Sequence, residues 1–429
     1  MPTKPKIQTM AANGVDILNA IRANASSTYQ ERIPVATQEN ITEIGNAMLT
    51  YQPTANEFLE ALVNRIARVI ITSKSYSNPL RMFKKGMMSY GETIEEVFVN
   101  IAKANQFDQE KAETNVFNRA IPDVMSCFHR MNLQNYYKTT ISNEMLRQAF
   151  LSAQGINDLV SRIVDSLYTG AEFDEYLTMK HLIEDAATNG KMAAVNIPAI
   201  SAENAKEIVT KIKAISNAME FMSADYNAMG VLTHSSKDRQ VLILDAQFDA
   251  TIDVEVLAYA FNMSKADFMG RRVLVDNFGS LTGVAAALVD EDWFMVFDNW
   301  IGFTENYNGE GLYWNYWYHV WKTFSTSPFS NAVLFTTGTV GVTSVSVTPG
   351  TATVNKGQSA QFAANVVTTG YAPKGVTWAV SGTQQTTSSI SPDGLLKVAA
   401  NEPNTTLTVT ATSTYDSSKS GTATITVAD

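Results

Sequence analysis

Cysteine is nearly absent from this 429-residue sequence: Cys127 stands alone, so no intrachain disulfide can form. Secreted multidomain chains of this size commonly carry several. Histidine is scarce too, and none of His129, His181, His234 and His319 lies within five residues of another. That spacing offers no metal site. No run reaches the roughly 18 to 20 apolar residues that cross a bilayer. The first nine residues are polar and lack the apolar stretch of a secretory signal, which points to a chain kept in a cytoplasm. Missing as well are a phosphate-cradling glycine loop, a His-Glu-x-x-His pair, paired cysteines and a Gly-x-Ser-x-Gly elbow. Enzyme classes that depend on those devices are excluded, and no cofactor is implied.

Positive charge is also in deficit. The chain carries 32 Lys and Arg against 42 Asp and Glu, a formal net charge of -10. Residues 341–429 hold four Lys and four acidic residues, so the whole excess belongs to residues 1–340. A dedicated nucleic-acid binder needs cations to displace counterions from phosphates, and this body is unsuited to that task.

Hydrophobic residues make up 45% of the chain, ample for two or three domains. The clearest boundary falls near residue 340, where Thr336-Thr337-Gly338-Thr339-Val340-Gly341 reads as a short linker. Beyond it, Ser and Thr are about a third of the residues and helical periodicity disappears. Short alternating runs follow, such as Val376-Thr377-Trp378 and Leu407-Thr408-Val409, punctuated by Pro349-Gly350, Lys356-Gly357 and Pro392-Asp393-Gly394. Six or seven such strands predict an antiparallel β-sandwich over 342–429. Its expected core is Phe362, Trp378, Leu395 and Val409, with Trp378 as the anchor. The pattern Val345-x-Val347-x-Pro349, Lys356-Gly357 before Phe362, Val376-Thr377-Trp378, Ile390-x-x-Asp393-Gly394-Leu395 and Val409-x-Ala411-Thr412 resembles the bacterial immunoglobulin-like domain of group 2. The resemblance implies an adhesion or decoration module.

The body mixes helix and strand. Residues 13–23 read as an amphipathic helix with Asn13 as cap, and 56–71 as a second helix with a stripe from Phe58 to Val69. Strand-like runs at Glu92–Val99 and Ile121–Phe128 flank a charged stretch, which predicts a long two-stranded excursion with a polar tip. Such a ribbon cannot bury itself and must pack against something else, most simply a neighbouring chain. Residues 143–188 carry the strongest helical signal, either one helix weakened at Gly170 or two. A helix over 202–222, strands at Val241–Asp245, Arg272–Val275, Val284–Val289 and Trp293–Phe297, and a short helix over 253–261 predict a compact α+β lobe. The run Leu312–Phe324 has aromatics on both parities, so both faces of that strand are expected to be covered.

Four features invite a chemical reading. Asp290-Glu291-Asp292 could be a metal or acid–base site, but a turn between two strands explains it better. Asp245, Asp249, Asp253 and Glu255 could gather a divalent cation, though helix-start charges and a solvated loop suffice. The aromatic run 313–324 could stack bases, yet only Lys322 accompanies it, and a buried central strand is favoured. Lys84-Lys85 beside Phe83 could meet a neighbour's acidic patch or nucleic acid, or be a solvated loop. Cys127, in a strand-like run, reads as an inert, partly buried thiol.

The order of parts resembles the tailed-phage capsid fold of the Hong Kong 97 type, and more closely the major head proteins of phi-29-like podophages. Four stretches carry the likeness: Asn78-Pro79-Leu80 with Phe83-Lys84-Lys85-Gly86 and Thr93-Ile94-Glu95-Glu96; Ala260-Phe261-Asn262-Met263 with Asp267-Phe268-x-Gly270; Val289-Asp290-x-Asp292-Trp293-Phe294-Met295-Val296; and Gly311-Leu312-Tyr313-Trp314-Asn315-Tyr316 with His319-Val320-Trp321. The resemblance implies a self-assembling shell protein and no catalytic residues. It implies an N-terminal arm and helices over 1–77, an extended loop over 78–129 and a spine helix within 143–188. An axial domain over 200–305 and a peripheral-domain strand over 312–336 complete the body. Candidate subunit contacts are Phe83, Lys84, Lys85, Glu92, Glu95, Glu96 and Arg119. Implied partners are further copies in pentamers and hexamers, a portal protein at one vertex, and double-stranded DNA enclosed without sequence-specific binding. An acidic wall fits that last role, and no membrane is involved. The chain reaches the arm almost at once, which predicts a separate scaffolding protein and no large cleaved propeptide. The rivals are a bacterial surface adhesin, opposed by the missing signal and sorting segments, and an enzyme with an accessory domain, opposed by the missing polar site.

Overall fold

Two sheets of the body share one long helix, and the apolar stripe of that helix explains how. The computed structural model describes residues 14–51, 53–58, 61, 76–88, 93–102, 104, 122–150, 153–201, 203–251, 271–385 and 387–428. Three short helices come first: α1 (Gly14–Asn24), α2 (Ser27–Arg32) and α3 (Ile41–Thr50). Ser26 caps α2 by accepting from the Tyr29 amide, which satisfies one of the helix's orphan donors. Residues 53–58 are helical; most of the helix expected over 56–71, the cap Asn13 and the helix expected over 253–261 lie outside the described residues.

After α4 (Asn143–Ala149) comes α5 (Ala153–Thr188), 36 residues and about 54 Å long at 1.5 Å per residue. It runs straight through Gly170 without a break. Its first half offers Leu159, Ile163, Leu167 and Ala171 to one core, its second half Tyr176, Met179, Ile183 and Ala187 to another.

The first core lies under a four-stranded sheet of order β1 (Lys84–Met87), β9 (Phe294–Asn308), β10 (Tyr313–Thr326), β4 (Leu133–Ser142). Trp314, Tyr316, Tyr318 and Val320 of β10 point at α5 and α1. The opposite face of β10, with Trp317, His319 and Trp321, is only half-buried, so the expectation that both faces are covered needs correction. β10 is central, between β9 and β4, and among the described residues the helices that pack on it do so on the face of Trp314, Tyr316, Tyr318 and Val320.

The second sheet is the lobe, ordered β5 (Ala193–Asn196), β11 (Ala332–Thr336), β8 (Val284–Asp290), β6 (Gln240–Asp245), β7 (Arg271–Val275). Val241, Ile243, Ala287 and Val289 face α5, while Leu242, Leu244, Ala286 and Leu288 face α6 (Ala205–Ala218). With both faces covered, β6 and β8 must be apolar at every position, and their sequences are nearly so.

The tail is all-β: β12 (Gly341–Thr348), β13 (Thr351–Asn355), β14 (Ser359–Gln361), β15 (Ala363–Thr369), β16 (Val376–Ser381), β17 (Ser389–Ile390), β18 (Leu395–Lys397), β19 (Thr406–Ser413) and β20 (Ser420–Ala428). These close around one core containing Phe362, Leu396, Val409 and Ile425. The strands are mostly antiparallel, but β13 runs parallel to β20. One expected core position is corrected. Leu395 is 41% exposed while Leu396 is fully buried. Two leucines in succession cannot both face one side of a strand, and the turn at Gly394 decides which does. That turn needs glycine: φ is +83°, and a Cβ would stand 2.4 Å from the Phe362 carbonyl oxygen. Trp378 packs against this core as expected, but it is half-buried, on the edge strand β16.

Glu402 organises a tail loop. It accepts from the amides of Gln384, Gln385 and Asn404 and from the Ser388 hydroxyl. These bonds, the Gln384 amide foremost, hold its carboxyl below the ordinary glutamate value. A depressed folded-state pKa gives stability that is present above the unfolded value and lost as pH falls through the folded one. Glu402→Gln is therefore expected to flatten the acid limb of the tail's stability curve, followed by melting at stepped pH between neutral and acid. An unchanged acid limb would contradict it.

Candidate subunit-contact surface

One candidate surface for another copy is a two-stranded ribbon. β2 (Ile94–Val99) and β3 (Val124–His129) pair antiparallel, from Ile94 opposite His129 to Val99 opposite Val124. Asn100 extends the pairing to Asp123, amide to carbonyl at 2.9 Å and side chain to carboxylate at 2.7 Å. The expected excursion thus exists as a hairpin ribbon; its tip, including Arg119, and Glu92 at its start lie outside the described residues.

Alternation divides the ribbon into two unlike faces. The inner face is fixed to the chain's own body. Glu96 accepts from Ser327 Oγ at 2.6 Å and meets His129 Nε2 at 3.0 Å. The His129 ring, fully buried, also meets Ser325 Oγ at 2.8 Å. Phe98 stacks on Phe329 at 5.5 Å. Cys127 is half-buried on this face, and burial first, then the Glu96 charge, pushes its thiol pKa up, away from reactivity. The outer face presents Glu95, Val97, Val99, Val124 and Phe128; Val97 is 53% and Phe128 57% exposed. A contiguous apolar stripe of this kind on a two-stranded ribbon is unusual in a solitary molecule.

Several expected contacts are instead spent inside the chain. Phe83 is 1% exposed and packs on Phe294 at 4.5 Å. Lys84 pairs with Glu175 at 3.0 Å and Asp298 at 2.9 Å. Lys85 pairs with Asp292 and donates to the Glu291 carbonyl at 3.2 Å. The physical reason is local: the turn at Pro79–Phe83 and the short strand β1 lay this segment on β9 and beside α5. Among the sequence-derived contacts, Glu95 is the one described residue that faces outward on the ribbon.

The acidic turn Asp290-Glu291-Asp292 joins strands of different sheets. Arg239 binds Asp290 at 3.0 Å and also Asp292, and Arg271 binds Glu291. These carboxylates raise the guanidinium pKa of Arg239. Asp245 caps the chain by accepting from the amides of Gln247 and Phe248, and Asp249 pairs with Arg272 at 3.4 Å. Asp253 and Glu255 lie outside the described residues. Among the described residues no cluster of three metal-ligating side chains occurs, and no helix is long and apolar enough to cross a membrane.

Sequence reasoning missed a second exposed surface, the outward face of the first sheet. Trp300 meets Trp321 at 4.9 Å and His319 at 5.4 Å, with Tyr136 beyond at 6.0 Å from His319. Lys138 lies over Trp317 at 5.5 Å. The mixed parity of the aromatic run is the sequence signal for this face.

Comparison with known proteins agrees with this architecture. The family described as Phi29-like phage major capsid protein matches residues 18–336. The major capsid protein of Bacillus phage PZA is 42% identical over 402 residues, covering 92% of this chain and 89% of the relative. That of Bacillus phage B103 is 43% identical over 403 residues with the same coverage. That of Streptococcus phage Cp-1 is 29% identical over 341 residues, 74% of this chain and 93% of the relative. Among solved structures, the capsid of Staphylococcus phage Andhra aligns with a TM-score of 0.51 at 15% identity, over 62% of this chain and 86% of that one. That last likeness is one of fold.

Proposed function

The chain belongs to the Phi29-like phage major capsid protein family and is the structural subunit of the head shell, and from that premise we propose how it assembles. The outward apolar face of the β2–β3 ribbon is the adhesive surface, and the observation that carries this is the exposure of Val97, Val99, Val124 and Phe128 in a single copy. The ribbon is the extended loop that lies over a neighbouring subunit, with α5 as the spine, the lobe as the axial domain and the β9–β10–β4 sheet as the peripheral domain. Copies close into pentamers and hexamers, where symmetry multiplies modest contacts. Assembly takes place in the bacterial host cytoplasm with a separate scaffolding protein, a portal protein occupies one vertex, and the double-stranded DNA inside is enclosed without sequence-specific binding. The tail is an immunoglobulin-like domain of the bacterial group 2 type, supported by its β-sandwich core and by the motifs around Phe362 and Gly394.

Val97→Asp combined with Phe128→Asp tests the ribbon. Each change puts a charge where assembly must exclude water, a cost of several kcal/mol per contact. The expected result in cells supplied with the phage scaffolding protein is loss of closed shells, seen by negative-stain microscopy, with the soluble subunit still folded by circular dichroism. Normal shells from the double variant would refute the assignment.

A further inference from the structure

The tail touches the body at a built joint. Its loop between β15 and β16 reaches into a corner made by the end of α5 and the lobe loop 276–283. Tyr371 and Ala372, adjacent in sequence, belong to different cores: Tyr371 packs against the body's second core, while Ala372 is buried in the tail's own. The Tyr371 hydroxyl accepts from the Thr282 amide at 2.8 Å and donates to the Thr282 carbonyl at 3.3 Å. Lys374 donates its amide to the Gly190 carbonyl at 3.3 Å and its ammonium to the Thr188 carbonyl at 3.1 Å. Thr188 is the last residue of α5, so this cation stands where the helix leaves carbonyls unpaired and its dipole is negative. The approach depends on Gly190: φ is +67°, and a Cβ there would stand 2.7 Å from the Lys374 nitrogen.

The lobe loop is gripped from its other side by α5 itself. Lys180 donates to Asp276 at 2.6 Å and Asn277 at 2.9 Å, and Glu184 accepts from the Ser280 amide at 3.1 Å. The linker is also anchored, Thr337 donating its amide to the Gly283 carbonyl at 2.8 Å and Asn196 its side-chain amide to the Gly338 carbonyl at 2.6 Å. Two separate attachments remove the freedom that a single linker would leave.

We propose that the tail is a clamp: loop 370–375 holds the lobe loop 279–283 against the C-terminal end of α5, fixing the angle between lobe and helix within one subunit. A decoration module swinging on a linker would leave the body unchanged when its side chains at the joint are altered, and a clamp would not.

Hydrogen exchange of the full chain, read by mass spectrometry on peptides covering 186–191 and 279–283, tests this. Tyr371→Phe removes the acceptor of the Thr282 amide and is expected to speed exchange in 279–283 by roughly five- to tenfold, the value of one ordinary hydrogen bond. Tyr371→Ala with Lys374→Ala is expected to speed exchange in both peptides by more, while amides at Val409 and Ile425 in the tail core keep their protection. Leu395→Ala, at an exposed position of β18, which pairs with β14 and β17 and not with the joint loop, is the control and is expected to change neither peptide. Unaltered exchange at 186–191 and 279–283 in the double variant would overturn the clamp. Should the double variant fail to fold, Tyr371→Phe alone decides, since it deletes one oxygen and leaves the ring in place.

Discussion

Glu175→Ala is expected to cost the body roughly 3 kcal/mol, at the lower end of the 3 to 5 kcal/mol typical when one member of a buried ion pair is removed. Glu175 sits on α5 with 1% of its side chain exposed, bound to Lys322, to Lys84 at 3.0 Å, and by Oε1 to the Asn78 side chain at 2.9 Å. Lys322 comes from β10 and Lys84 from β1, so one carboxylate ties α5 to two strands of the first sheet. Removing it leaves two ammonium groups, 6% and 16% exposed, whose remaining shared counter-ion is Asp298. That surviving partner is why the lower end is expected. Urea unfolding of the full chain measures the effect, and a loss under about 1 kcal/mol would mean that the cluster is solvated like a surface pair. Glu175→Leu with Lys322→Met, which removes two charges and refills the space, is expected to regain most of the loss.

Phe362→Ala is expected to be the most damaging single change in the tail, at roughly 3 to 5 kcal/mol. The ring is 1% exposed within the sandwich core, so its removal leaves a void among buried side chains. Trp378→Ala is expected to cost less than about 3 kcal/mol despite the larger side chain, because an edge-strand ring already faces water on one side. Native-state exchange of the Val409 and Ile425 amides ranks the two variants. An equal or greater loss for Trp378→Ala would show that the edge position is covered in solution.

The contrast between Phe362 and Trp378 shows where sequence reading is blind. Size and aromaticity suggested the tryptophan, but which strand lies at a sheet edge is settled by pairing between residues far apart in the chain. Leu395 and Leu396 show the same limit at one-residue scale, since a run of two leucines has no parity of its own. Lys84 and Lys85 looked like free cations because the acids they meet, Glu175, Asp292 and Asp298, lie 91 or more positions away. Aromatic residues on both parities, Trp317 and Trp321 among them, resemble a two-sided core, whereas the described helices pack on the other face, at Trp314, Tyr316 and Tyr318.

What the sequence determined by itself is local and periodic: a helical region within 143–188, the nearly apolar central strands of the lobe, the ribbon with its alternating faces, and the change to all-β structure near residue 340. Hydrophobic period and turn chemistry act over a few residues, so they are legible in a single chain, whereas the shell-subunit role was indicated by the resemblance of four motif-bearing stretches to the phage head proteins. Tertiary structure alone decided which face of each element is exposed, which charges are spent internally, and that the tail is anchored at the end of the long helix. Those outcomes depend on which distant segments meet, and a contact between Tyr371 and Thr282 leaves no trace in the residues on either side of them.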